Sequence, residues 1–536
     1  MHEAVEIAKL RLFLKMIGAV DVENTKPNYG LEPLPDIDFN IKAGNTLIGF
    51  ATKEELLSAI EKFEGLYAKE KLEKYNEECS LVATAYKMFQ DNQFITDKNT
   101  EKQKESKAKL QNRLTTLNDE LNIYLSRIYG ITKYEQFGGK TKLFDSENTF
   151  QQQTKQYKQW LETHQPFHWF AEFYDIINEN GGFDVIIGNP PYVEYSQVKK
   201  FYEIKDYETI SCGNLYANII ERCHYILRKK SKISMIVQLP IVCTDRMKPI
   251  QDFLKEEYRF QWFANFDDRP GKLFDGLEDI RATIILIEKN KTKDPKIYST
   301  FYNRWYSENR GYLFELLNYF ANSFNNIEGT IPKIGNQLTV YLMEKIFKKK
   351  PLLIELVNYS NNSNDNSVYF HNAPRYFIRS TIFVPYFWNE REGEKLSQQI
   401  KSLNLENHNK ASLLNASLNS SLFYWWFIIT SDCRHLNMRE VNNFRINLND
   451  SSLSFLKEVN DQLMEDLINN SKRKECFYKT TGKVKYDEFY PKKSKHLTDQ
   501  IDTVLAEHYK FTEEELDFIV NYDIKYRMGE ELNNHI

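Results

Sequence analysis

The sequence predicts an α/β protein built on a mostly parallel sheet, and two observations predict it. Short apolar runs and amphipathic helical stretches alternate from residue 183 to residue 288, the rhythm of strands joined by helices that cover both faces of a sheet. Ahead of them, residues 52–128 are rich in Lys, Glu, Gln and Leu, a composition of long charged helices rather than of strands.

A chain of 536 residues is too long for one ordinary domain. Hydrophobic residues at 41% and aromatics at 14% supply a large core and exclude a disordered chain. The 71 basic and 75 acidic side chains leave a net charge of −4, so binding to nucleic acid would need local basic surfaces rather than bulk charge. Six cysteines without a C-x-x-C pair give neither zinc-ligand spacing nor a disulfide framework. They read as free thiols in a reducing cytoplasm. No metal is expected. The most apolar stretch, residues 422–429, is too short to span a bilayer, and the N-terminus reads as an amphipathic helix rather than a signal peptide. A cytoplasmic protein with no membrane partner is expected.

Along the chain, residues 3–20 have helical periodicity that ends near Gly18, and residues 38–41 read as a short strand leading into Gly44, Asn45, Thr46 and Leu47. The helices of 52–128 are interrupted by a polar break near 97–106, and a second helical stretch covers 150–179. Strands follow at 183–188, 232–239, 260–266 and 282–288, with helices at 214–227 and 247–258. The strand at 183–188, FDVIIG, reads as buried. An Asn/Ser-rich linker is expected at 358–367, and a charged helical tail at 498–529. The expected division is a partial sheet core at 1–50, a helical insertion at 51–180, the main sheet at 181–330 and a mixed α/β domain with a helical tail at 331–536.

The chemistry points to Asn189-Pro190-Pro191-Tyr192, directly after FDVIIG. Ligands of open α/β sheets bind beyond strand C-termini. Two prolines stiffen the turn and remove two N–H donors. The rim left behind is rich in acceptors, the Asn189 side-chain oxygen and the Pro190 carbonyl, with the Tyr192 ring nearby. Two acceptors and a flat ring suit an exocyclic amine on a planar base, whose lone pair they would leave facing an incoming methyl. Such a base must first leave its duplex.

DVIIGNPPY resembles motif IV of the N6-adenine DNA methyltransferases. The resemblance implies that Asn189 and Pro190 accept from the adenine amino group, that Tyr192 stacks on the flipped base, and that Pro191 lines its pocket. AVEIAKLRLFL and LPDIDFNIKAGNTLIG resemble a segment of type IIG restriction–modification enzymes, which makes Asn45 a contact for the adenine of S-adenosylmethionine. GKLFDGLEDIRATIILIEK resembles a later motif of the same enzymes and makes Phe274 a contact to the target base. RYFIR and LLNASLNSSLFYWWFIITSDCRHLNMREVNNFRI resemble TaqI-like target-recognition domains. Arg375, Arg379, Arg434, His435 and Arg439 are the candidates there for contacts to double-stranded DNA. The aromatic run 423–427 reads as core rather than as a stacking platform.

The resemblance implies a Rossmann-like class I methyltransferase sheet that lacks its first strands. The family's Gly-rich cofactor turn and the acidic residue after it would precede the first helix, and no D-x-x-x-G-x-G pattern precedes Asn189. The expectation is therefore a truncated or split adenine methyltransferase of a restriction–modification or phage-defence system, with a separate N-terminal chain completing the cofactor site. Two alternatives stay open: a catalytically incomplete DNA-binding specificity subunit, and an amino-methyltransferase acting on protein or RNA.

Overall fold

The computed structural model describes residues 2–21, 23, 25, 26, 29, 37, 39–92, 100–131, 147–276, 278–324, 326–350, 353–356, 366–479 and 481–529. The chain begins with α1 (His2–Ile17), α2 (Lys53–Glu64), α3 (Ala68–Asn92), α4 (Thr100–Ile128), α5 (Glu147–His164) and the single turn α6 (Trp169–Glu172). The alternating region follows as β1 (Phe183–Gly188), α7 (Tyr195–Val198), α8 (Leu215–Ile226), β2 (Leu227–Gln238), α9 (Lys248–Glu257), β3 (Tyr258–Phe266), β4 (Ala282–Lys289), β5 (Lys296–Asn303) and β6 (Phe320–Ala321). These strands form a mixed sheet in the order β1-β2-β4-β3-β5-β6. The pairs β1–β2 and β3–β5 are parallel, and β5–β6 is antiparallel.

Beyond α10 (Gln337–Phe347) come β7 (Ser367–His371), β8 (Ser380–Thr381), β9 (Phe387–Asn389), β10 (Gly393–Glu394) and β11 (Ile400–Asn404). The helices α11 (His408–Asn419), α12 (Ser421–Thr430), α13 (Met438–Asn443) and α14 (Asp450–Asn469) lead to the hairpin β12 (Lys472–Tyr478) and β13 (Gly482–Glu488). The chain closes with α15 (Lys495–Tyr509), α16 (Glu513–Val520) and α17 (Ile524–Met528). Two further sheets result, ordered β10-β9-β13-β12 and β11-β7-β8. The chain divides into two compact units, residues 1–235 with 256–259 and 286–293, and residues 236–255 with 260–285 and 294–536. Among the described residues no helix is long and apolar enough to cross a membrane.

In the first unit α2 starts where the Thr52 hydroxyl accepts from the Glu55 N–H at 3.3 Å, and its buried residues Leu56, Ala59 and Ile60 recur at helical spacing. They join Leu72, Leu121, Trp160 and Phe170 in one core that unites α2–α6. In the second unit every residue of α12 is buried, so the aromatic run 423–427 is core.

Three expectations change. Residues 39–41 form a turn, not a strand, because the Asn40 and Ile41 N–H groups both donate to the Ile37 carbonyl. The polar break does not reach residue 106: α4 is already helical at Thr100, and 97–99 lie outside the described residues, as does most of the 358–367 linker. β1 is a strand with the expected bounds but is not buried. It stands at a sheet edge, where one side has no neighbouring strand among the described residues, and Val185 and Ile187 are 62% and 81% exposed.

The helical region is fastened by Arg222 of α8. Its Nη1 donates to both Glu55 oxygens at 2.8 and 3.0 Å, its Nε to the Tyr207 hydroxyl at 2.7 Å, and its Nη2 to the Leu47 carbonyl at 3.4 Å. Arg222 is buried while Glu55 remains about one-third exposed (33%). Arg222→Ala should therefore cost nearer the low end of the ~3–5 kcal/mol typical of a broken buried pair, read as a lowered urea midpoint.

Candidate active site

The strand β1 delivers its C-terminus to Asn189. The chain enters it through Gly182 at φ +122, where a Cβ would lie 2.6 Å from the Arg228 nitrogen, so a side chain there would push β1 away from the start of β2. Past the strand, Pro190 is buried, Asn189 and Pro191 are exposed, and Tyr192 is half-buried. Burial pushes the Tyr192 phenol up to about 12, so it stays neutral.

The turn is held from the start of α8. Val193 accepts from the Leu215 N–H at 3.0 Å, and Tyr195 donates to the Gly213 carbonyl at 2.8 Å. Glu194 bridges to Asn214, whose side-chain amide donates to the Glu194 carboxylate at 3.2 Å. Asn214 also caps α8, accepting from the Tyr216 N–H. Sequence reasoning missed Glu194 and Asn214 as positioning residues. An asparagine just ahead of an amphipathic helix was the available sign.

Asn45 lies in a segment that runs along residues 165–170. Its N–H donates to the Gln165 carbonyl at 2.7 Å, and Phe167 donates back to Ile48 at 2.7 Å. Gly49 permits this approach at φ +134, since a Cβ would sit 2.1 Å from the Phe167 oxygen. The Asn45 side-chain oxygen accepts from the Leu47 N–H at 3.1 Å. That leaves its amide N–H groups unspent among the described residues, so Asn45 fits a donor to the acceptor edge of an adenine ring. No strand precedes β1 among the described residues, and none there presents a Gly-rich turn at a strand end.

The first unit brings together Asn189, Pro190, Pro191, Tyr192 and Asn45; Phe274 and the basic candidates belong to the second unit. Phe274 is half-buried. Arg375 is exposed, and Arg379 is half-buried. Arg434 is exposed, and its Nη1 donates to the Asp279 carbonyl at 3.0 Å. His435 pairs with Asp432 at 3.2 Å. The Arg439 guanidinium is spent inside the protein on Asp245 at 2.9 Å, Glu440 at 3.0 Å and the carbonyls of Thr430 and Cys243. Lys345 and Lys349 likewise donate to the Lys510 and His508 carbonyls, at 2.8 and 2.6 Å.

The structure thus sets the Asn189–Tyr192 turn at the end of a strand in a mixed α/β sheet. The chain belongs to the Eco57I restriction-modification methylase family, which it matches over residues 1–274. It is 31% identical over 217 residues to a Methanocaldococcus jannaschii protein described as a candidate type II restriction enzyme and methyltransferase. That alignment covers 35% of this chain and 17% of the relative, so the chain matches about a sixth of the relative's length. Among solved structures it is similar to the type IIL restriction-modification enzyme MmeI in complex with DNA, at 11% identity, 89% and 76% coverage of the two chains and a TM-score of 0.36. It is also similar to the type IIG restriction endonuclease BpuSI, at 11% identity, 63% and 54% coverage and a TM-score of 0.24.

The segment carrying Asn45 leans on a buried imidazole. His168 Nδ1 accepts from the Phe50 N–H at 3.1 Å, its Nε2 lies 3.0 Å from Asn122 Oδ1, and burial pulls it down from 6.5 to about 3. On acidification below about 6.5 the unfolded chain takes up a proton that the folded one refuses until about 3. Stability should therefore fall across that window by up to ~1.4 kcal/mol per pH unit from this group. His168→Gln should remove that increment from the pH dependence of the urea midpoint.

Proposed function

We propose that the chain is the target-amine and target-recognition portion of a DNA methyltransferase that modifies adenine at N6, acting in the cytoplasm within a restriction–modification or similar defence system. The observation that carries this reading is the Asn189–Tyr192 turn at the C-terminus of β1, with Pro190 buried, Asn189 exposed and the turn pinned to α8. Residues 1–50 and 181–330 form the methyltransferase core in this reading, 51–180 a helical insertion, and 331–536 the target-recognition domain.

A flipped adenine stacks on Tyr192, with Pro191 lining the pocket. One amine N–H donates to the Asn189 side-chain oxygen and the other to the Pro190 carbonyl. With both hydrogens held, the nitrogen lone pair stands free of the ring plane and attacks, and the nitrogen then releases one proton. S-adenosylmethionine, when bound, supplies the methyl group; Asn45 would donate to its adenine. Arg375, Arg379, Arg434 and His435 face the duplex in this reading.

Two surfaces of the first unit are open to a partner that would complete the cofactor site. One face of β1 presents Val185 and Ile187, and α1 exposes Ile7, Leu10, Leu14 and Ile17 at helical spacing. A helix laid on that face would cover the first of these surfaces.

Transfer of labelled methyl to unmethylated duplex DNA tests the reading, with this chain alone and with the separately supplied cofactor-binding segment. Adenine methylation should appear in the completed enzyme. Asn189→Ala should lower it by ~100-fold or more, and Tyr192→Ala should abolish it, with duplex binding nearly unchanged. Undiminished methylation by Asn189→Ala would sink the assignment. Sequence-selective DNA binding without methylation in any combination would favour a specificity subunit, and methyl transfer to protein or RNA in place of DNA would favour the other amino-methyltransferase class.

A further inference from the structure

Between the site turn and α8 the first unit makes a short excursion, residues 195–206, and one side of it is fixed. Tyr195 and Ile204 are buried, and Val198 and Tyr202 pack against the core of the helical region. The Tyr195 N–H donates to the Gly213 carbonyl at 2.8 Å, and its hydroxyl accepts from the Ile204 N–H at 3.1 Å. One residue thus ties the excursion both to the start of α8 and to its own far end. His164 of α5 accepts from the Glu203 N–H at 3.4 Å, and Lys205 donates to the Ile128 carbonyl at 3.3 Å.

The other side is bare. The chain keeps turning past α7, since the Lys199 N–H donates to the Tyr195 carbonyl and the Phe201 and Tyr202 N–H groups both donate to the Val198 carbonyl. With Tyr195, Val198 and Tyr202 turned inward, Lys199, Lys200 and Phe201 fall on the outer side. All three are exposed, Phe201 at 59%. Neither lysine makes an ion pair among the described residues, and the Lys200 ammonium stands 4.9 Å from the centre of the Phe201 ring.

An exposed phenylalanine alone is ordinary. This one is held firmly from behind, close after Tyr192 in the chain, beside two cations that no acid offsets. Helical rise puts it ~9 Å along the chain from Tyr195. A base that leaves its duplex opens an apolar gap in the stack, bounded by phosphates, at a cost of a few kcal/mol. An apolar side chain can fill such a gap while lysines hold the phosphates beside it. A phosphate contact alone would leave Phe201 in water, and an apolar partner alone would leave both lysines unmatched.

We propose that Phe201 is the wedge that fills the stack when the target adenine is flipped, with Lys199 and Lys200 on the flanking phosphates. The assignment rests on the DNA-methyltransferase reading and deepens it. The Asn189–Tyr192 turn holds the base once it is out, and Phe201 keeps the duplex from taking it back.

Methyl transfer by the completed enzyme tests it, on two duplexes carrying the modified site as mapped by sequencing. In one, thymine faces the target adenine; in the other that position is abasic, so the adenine is unpaired and leaves the stack cheaply. Phe201→Ala should slow transfer to the paired duplex by ~10- to 100-fold and transfer to the abasic duplex by less than ~3-fold. Phe201→Leu should recover most of the loss. Asn189→Ala should slow both duplexes alike, because it holds the amine itself. Lys199→Gln and Lys200→Gln should each weaken duplex binding and lower its salt slope by about one. An unchanged rate of Phe201→Ala on the paired duplex overturns the wedge. So do equal losses on both duplexes, the mark of a disturbed site turn. Unchanged salt slopes in both lysine variants overturn the phosphate contacts. A completed wild type that methylates neither duplex overturns the DNA reading itself, and this assignment with it.

Discussion

One helix holds both halves of the candidate site. At its N-terminus α8 fixes the Asn189–Tyr192 turn through Asn214 and the Leu215 N–H, and two turns later Arg222 of the same helix reaches the Leu47 carbonyl in the segment that carries Asn45. The Asn189–Tyr192 turn and the segment carrying Asn45 are thus referred to one rigid element rather than to each other. Arg222 also reaches Glu55 of α2, so the helical region bears on the same support. A shift of α8 would disturb both halves, and reacting groups tolerate little misplacement.

The second unit depends on buried charge in a different way. Arg304, just beyond β5, pairs with Asp267, just beyond β3, at 2.7 Å, and with Asp523 ahead of α17, and it donates to the Tyr424 hydroxyl at 3.3 Å. Burial alone would raise the Asp267 carboxyl, but the Arg304 guanidinium overrides it and holds the group below its ordinary value. Asp502 accepts from the Ser421 and Leu422 N–H groups at 3.1 Å, meeting the positive end of α12. Such contacts add specificity rather than net stability, since each ion must first be stripped of water.

Periodicity made much of this architecture legible. The strand at 183–188 and the helices around it have the expected positions, because alternation of apolar runs with amphipathic segments is a local property. The errors have non-local causes. FDVIIG reads as buried from its composition, but burial depends on neighbours, and β1 has a strand on one side. The run at 38–41 alternates like a strand, yet the Ile37 carbonyl captures two N–H groups and closes a turn. At the candidate site, Asn189–Tyr192 was visible as a contiguous motif. The engagement of Arg439 was not, because its acceptor on Asp245 lies 194 positions away in sequence.

The parallel pairing of β1 with β2 sets an order of events during synthesis. Parallel strands need a crossover, and here residues 189–226 supply it, with the candidate site turn at its start and α8 at its end. Closing that crossover carries an entropic cost that is offset once β2 is in register and α8 has packed. A nascent chain therefore lacks the supports beside Asn189 and Tyr192 until residue 215 is made, and the β1–β2 pairing until residue 235. The motif's surroundings thus come from residues some twenty positions on, so its letters alone do not supply its geometry.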